Sequence, residues 1–195
     1  MYPQPKLSIT AGLWFTTQNL GLADGLRKIH GTDTGQNVDR VYGRHGDLKP
    51  ENILWFKSPS PGVNDSDAEL GVLQISDFGL ARFHRTASST KTNARAVAFS
   101  PTYRPPECDV GDRLVSQSYD IWSLGCLILE FTTWYLMGWN EVETFSRKRT
   151  EKVGTPVKED EFFGVVTGDI PNFHEGIVKP SVLKVSVRNP SLLLL

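Results

Sequence analysis

The chain has little that would tie it to a membrane, a metal centre or a disulfide framework. Its 195 residues include two cysteines, Cys108 and Cys126, without the paired spacing of zinc sites, so reduced thiols are expected. Long apolar runs are lacking: the longest, Ile121 to Met137, is broken by Ser123, Glu130, Thr132 and Thr133, which argues against a membrane span. An excess of one charge is lacking too. A formal net charge of −1 gives no general attraction for nucleic acid or anionic lipid, so neither is expected as a partner. The opening Met1-Tyr2-Pro3-Gln4-Pro5 is polar and proline-broken, unlike a secretory leader, and an intracellular setting, cytoplasmic or nuclear, is expected. The length suits one domain with a real core.

What is there is concentrated in one stretch, Arg44 to Phe56, reading RHGDLKPENILWF. It sets a carboxylate (Asp47), an ammonium (Lys49) and a carboxamide (Asn52) on a turn stiffened by Pro50, with strand-formers Ile53 to Phe56 directly behind. A carboxylate can orient or deprotonate an attacking hydroxyl. An ammonium can neutralise a transferring phosphoryl group, and an amide oxygen can ligate a hard cation such as magnesium. HGDLKPEN resembles the catalytic loop of the eukaryotic protein kinases, with Lys49 pointing to the Ser/Thr branch and Gly46 standing where the family template has arginine. HGD followed by Asn52 is also similar to small-molecule phosphotransferases acting on aminoglycosides or choline.

Further motifs favour the protein kinases. Asp77-Phe78-Gly79 follows a predicted strand, 30 residues after Asp47, and resembles the metal-binding D-F-G. Leu80 to Ser100 mixes Arg82, Arg85, Lys91 and Arg95 with Ser88, Ser89, Thr90 and Thr92, as an activation segment does, although a solvated loop has the same composition. It runs on to Pro105-Pro106-Glu107, similar to A-P-E, and small-molecule phosphotransferases have no such segment. Asp120-Ile121-Trp122-Ser123-Leu124-Gly125 resembles the D-x-W-S-x-G of the kinase large lobe.

The resemblance implies a mainly α (α+β) fold: a protein-kinase-like large lobe with a short catalytic-loop β-hairpin, lacking the small ATP-covering lobe. It implies one such domain fragment over 1–195, with catalytic loop 44–52, activation segment 77–107, central helix about 118–136 and an ill-defined 157–195. No G-x-G-x-x-G and no V-A-I-K-like lysine precedes the loop, and a two-lobed kinase domain needs about 250 residues or more. The implied cofactors are ATP and Mg2+, and the implied partners a protein substrate and a partner chain or the missing small lobe. The implied roles are Asp47 and Lys49 in catalysis, Asn52 and Asp77 on metal, and Leu54 under the adenine. The resemblance further implies that Phe78 packs beneath Asp77, Gly79 permits the flip of the motif, Ser100 ties the segment to Asp47, and His45 and Asp120 support the loop. Glu107 ordinarily pairs with an arginine for which the sequence offers no clear candidate, and a loosened lobe follows. A non-catalytic, kinase-like binding module remains an alternative.

Periodicity predicts a helix from about Ala11 to His30 with Phe15, Leu22, Leu26 and Ile29 inward, closed by Gly31. Strands are expected at Ile53–Phe56 and Gly71–Ser76 around a polar loop, Lys57 to Leu70. The central helix is apolar on most faces and is expected to be fully buried. A further helix around Val142, Phe145 and Val153 would hold Arg147, Lys148, Arg149 and Lys152 on a solvated face. Lys158 to Phe173 reads as a loop, and Val182 to Val187 as either helix or strand. The four leucines at the end have nothing obvious to pack against.

Overall fold

The computed structural model describes residues 7–31, 42–57, 70–85, 91–94, 100–150, 159–167 and 174–188. Most of the loop expected at Lys57 to Leu70 lies outside these residues, as do Ser88, Ser89, Thr90, Arg95, Lys152, Val153 and the terminal leucines.

Helix α1 spans Ile9–His30 and buries Ala11, Phe15, Gln18, Leu22 and Leu26, a single stripe at helical spacing. It starts two residues earlier than the pattern suggests because the Ser8 hydroxyl accepts the Ala11 N–H at 3.1 Å and caps it. Gly31, at φ 92°, ends it and returns its N–H to the Lys28 carbonyl.

Among the described residues the strands form four separate antiparallel pairs. β1 (Tyr42–Arg44) pairs with β4 (Arg82–His84), and β2 (Ile53–Phe56) with β3 (Val72–Ile75), Ile53 facing Ile75. β5 (Thr92–Asn93) pairs with β6 (Leu114–Val115), and β7 (Phe163–Thr167) with β8 (His174–Val178). The described residues of the stretch after Gly79, read as activation segment or solvated loop, therefore include the short strands β4 and β5. The loop expected over Lys158 to Phe173 is in part strand β7, because Phe162 and Phe163 are both buried and draw the chain into the core.

Helix α2 spans Ser118–Met137 and α3 spans Trp139–Arg149. Leu124 and Leu127 of α2 join Leu22 and Leu26 of α1 and Leu48 of the loop after β1 in one core cluster, edged by Ile29, Ile53, Leu73 and Ile75. The loop is thus anchored from below by a side chain of its own. Full burial of α2 is not what is found: Ile121 is 59% exposed and Gly125 is exposed. Its apolar surface exceeds what the described elements cover.

The solvated basic face expected on α3 also needs correction. Arg147 and Lys148 are exposed, but Arg149 is 1% exposed, lies between the Phe145 and Phe162 rings and pairs with Glu130 and Asp160. Glu130 also accepts the Tyr103 hydroxyl, so one buried carboxylate joins α2, α3 and the segment before Glu107. The acidic stretch 159–161 turns back to supply the rest: Asp160 to Arg149, and Glu161 to Arg104. Helix α4, Pro180–Arg188, resolves the open choice at Val182 to Val187 in favour of helix. Among the described residues no helix is long and apolar enough to cross a membrane.

Candidate active site

The loop after β1 is shaped by one carboxylate beneath it. Asp120, in the first turn of α2 and 0% exposed, accepts the backbone N–H of His45 at 2.7 Å and of Gly46 at 2.8 Å. It also meets His30 Nε2 at 2.8 Å, tying in the end of α1. Gln117 adds a second clamp, donating to the carbonyls of His30 and Gly43. Buried N–H groups at a bend need acceptors, and a carboxylate at a helix N-terminus also suits the helix dipole.

His45 is itself buried and links the two motifs. Its Nε2 donates to the Ser76 carbonyl at 3.0 Å, and its Nδ1 accepts the Asp47 N–H at 3.3 Å, which fixes the tautomer with the proton on Nε2. Gly46 has φ +82°, and a Cβ there would lie 3.2 Å from the Leu80 carbonyl oxygen, so glycine suits this bend.

Asp47 is 8% exposed, with every neighbour a donor. Lys49 Nζ lies 2.8 Å from Oδ2, the Ser100 hydroxyl donates to Oδ1 at 2.7 Å, and Asn52 Nδ2 reaches Oδ2 at 3.1 Å. Lys49 donates to Ser100 as well, at 3.0 Å, closing a triangle. Burial pushes the Asp47 carboxyl up, but Lys49, Ser100 and Asn52 together hold it below the usual aspartate value. The Asp47 carboxylate in turn holds the Lys49 ammonium above its usual value. Asp47 is therefore an anion and Lys49 a cation across the physiological range.

Asn52 also donates to the Asp47 carbonyl, so its amide nitrogen is fully engaged with residue 47. Its Oδ1 accepts nothing among the described residues and stays open. Across the hairpin, the Asn52 carbonyl accepts both the N–H and the hydroxyl of Ser76, which brings the start of β2 to the end of β3. Asp77 follows at once, exposed and at φ 62°, its carboxylate accepting the Gly79 N–H at 3.1 Å. An open amide oxygen and an exposed carboxylate on adjoining strand ends are a hard-oxygen donor set, which fits Mg2+.

The remaining sequence-derived residues divide. Phe78 does not sit under cover: it is 49% exposed, its ring 5.2 Å from that of His45. Leu54 is 46% exposed on β2. Glu107 is half-buried and accepts only the Ser118 hydroxyl at 3.1 Å; among the described residues no cation pairs with it. Sequence reasoning missed His30 and Gln117, and the signal was faint, since both contacts span more than 80 residues. It also missed Arg104, which pairs with Asp109 and Glu161 and sits next to Tyr103 in the segment.

A mainly α domain whose loop after β1 hangs from an aspartate in the first turn of a helix, beside a D-F-G hairpin, has a protein-kinase-like fold. The comparisons agree: the chain belongs to the protein kinase domain family, whose pattern it matches over residues 23–163. It is similar to a probable cell division protein kinase of Encephalitozoon cuniculi, 31% identical over 183 residues, covering 93% of this chain and 47% of that protein. Cyclin-dependent kinase 2 of Caenorhabditis elegans is 42% identical over 89 residues, covering 46% of this chain and 20% of its own. A serine/threonine-protein kinase of Yarrowia lipolytica is 38% identical over 96 residues, covering 46% of this chain and 12% of its own. The chain thus spans less than half the length of each of these relatives.

Proposed function

We propose that this chain carries the catalytic half of a protein serine/threonine kinase, a large lobe that transfers the γ-phosphoryl group of ATP to a protein hydroxyl. The observation that carries it is the Asp47 carboxylate, held as an anion by Lys49, Ser100 and Asn52, with the charge of the exposed Asp77 also felt by Lys49. Asp47 orients the substrate hydroxyl and takes its proton as the oxygen bonds to phosphorus and the bond to the departing diphosphate breaks. Lys49 stays protonated and steadies charge on the transferring group. Ser100 holds the segment against both, setting where the protein substrate lies. Asn52 Oδ1 and the Asp77 carboxylate would hold Mg2+, which supplies positive charge against the phosphates.

The reading includes a second element. Leu54, Trp55, Phe56, Val72 and Phe78, each between 41% and 49% exposed, form an apolar rim on the β2–β3 hairpin and the D-F-G. An apolar group of this size beside a polar site calls for cover, and an adenine and a small lobe would supply it. The 195 residues hold no G-x-G-x-x-G loop. Losing two charge-assisted hydrogen bonds at roughly 1.5–3 kcal/mol each weakens ATP binding about a thousandfold or more. The chain alone is therefore expected to transfer no phosphate.

The test is a radiolabelled γ-phosphate transfer assay on the 195-residue chain and on the chain joined to a kinase small lobe. Transfer only by the joined form, abolished by Asp47→Asn, is the expected result. Turnover by the chain alone would overturn the need for a second lobe. Inactivity of a folded, nucleotide-binding joined form would overturn the catalytic reading.

A further inference from the structure

Helix α2 leaves one face uncovered among the described residues. Leu114 and Ile121, both exposed, line an open groove with Ser118, Trp122 and Glu107. Gly125, one turn beyond Ile121 on the same face, is exposed as well, and no other described element comes within 4 Å of where its Cβ would stand. An apolar face around a half-buried carboxylate suits an occupant that is apolar and carries no negative charge. The sequence holds a run of that kind with nothing to cover it: residues 192–195 are four consecutive leucines, and no acidic side chain lies among residues 189–195.

Helix α4 brings that run within reach. Its Val182 belongs to a buried cluster with Cys126, Phe145 and Phe162, and Trp122 and Val185 both pack against this cluster. One wall of the groove and the body of α4 therefore share a core. The helix ends at Arg188, about 9 Å along its axis from Val182 at 1.5 Å per residue. Pro190 has no N–H with which to continue it. The residues from 189 to 195 span at most about 25 Å when extended, so the leucines can return to Trp122 and the groove beyond it. So short a tether also holds them there at an effective concentration of about millimolar, which favours the same chain over a second copy.

We infer that the groove on α2 is a docking site for residues 192–195 of the same chain. The leucine side chains cover Leu114, Ile121 and the notch at Gly125, and the chain after α4 supplies what the described elements leave open on this face. The docking stands whether or not the chain transfers phosphate, because it uses none of the residues around Asp47.

The experiment attaches a nitroxide to Leu195→Cys in the full chain and reads the backbone amide signals of Leu114, Ser118 and Ile121 with the label oxidised and then reduced. Cys108 and Cys126 are buried, which keeps the label at position 195. Loss of the three signals in the oxidised form, with recovery on reduction, is the expected result. Ile121→Glu, at an exposed position that tolerates a polar side chain, should restore the Leu114 and Ser118 signals in the oxidised form. Leu192→Ser, Leu193→Ser and Leu194→Ser together should restore all three. Signals that persist in the oxidised form, or a loss that Ile121→Glu leaves unchanged, overturn the inference. A mixture of nitroxide-bearing chains without isotope and isotope-enriched chains without nitroxide separates the occupants. Loss of signal in that mixture gives the groove to a second copy and overturns the assignment to the same chain.

Discussion

Two carboxylates flank the start of α2 and share almost nothing beyond their charge. Asp120 is 0% exposed and holds three donors from two other segments, so the loop after β1, α1 and α2 form a single unit around it. Glu107 is half-buried and holds one hydroxyl, that of Ser118. Around it Leu114, Ile121 and Trp122 line an open groove, with Leu114 44% and Ile121 59% exposed. The difference shows where this fold is complete. On the loop side almost every polar group that shapes the site finds its partner within the described residues, whereas on the Glu107 side the apolar surface and the carboxylate do not.

The largest expected effect comes from breaking the satisfied side. Asp120→Ala would strand the His45 and Gly46 N–H groups and the His30 ring, at about 1–3 kcal/mol for each unsatisfied group. A loss of about 4 kcal/mol or more in denaturant unfolding is expected, a large part of a typical 5–15 kcal/mol. Arg149→Met should come next. It leaves Glu130 and Asp160 buried or half-buried without their cation, costing about 3–5 kcal/mol, and replacing Glu130 by Gln in the same chain should recover part of that.

Glu107→Gln, by contrast, should change stability by under about 0.5 kcal/mol, the range of a surface substitution. A cost near that of Asp120→Ala would mean that Glu107 has a partner as strong. The smallest effect is on pH. The Asp47 carboxyl sits below the ordinary aspartate value, so its contribution is complete above about pH 4 and is lost as the pH falls through the lower folded value. Lys49 sits above its ordinary value, so its contribution is complete below about pH 10 and lost as the pH rises through the higher folded one. Ser100→Ala removes one of the donors that hold Asp47 down, and the acid limb of the stability curve should move to higher pH. An unmoved acid limb would show that the Ser100–Asp47 bond is not formed in solution.

The sequence is most legible where the chemistry is local. Asp47, Lys49 and Asn52 fall on one turn, and their spacing alone brings the three side chains together. Helix α1 is legible from its stripe and Gly31, and the β2–β3 hairpin from two apolar runs around a polar one. Ser100 is legible only by counting back from Glu107, since its contact with Asp47 spans 53 residues. What is not legible depends on distant packing. A basic run ending at Arg149 gives no sign that Phe145 and Phe162 enclose its last member, or that Asp160 turns back to meet it. Phe162, buried together with its neighbour Phe163, also explains why a stretch read as loop becomes strand β7. Nor does an apolar helix reveal which face will lack a covering element, as Ile121 on α2 shows.

The account depends on the loop side presenting Asn52 and Asp77 to one cation. Paramagnetic broadening by Mn2+ with ATP, followed at the backbone amides of this chain joined to a kinase small lobe, tests that directly. Broadening centred on Asn52 and Asp77, and lost at both in Asp77→Ala, is the predicted result. Broadening at neither residue, or at Asn52 alone and unchanged by Asp77→Ala, would contradict it.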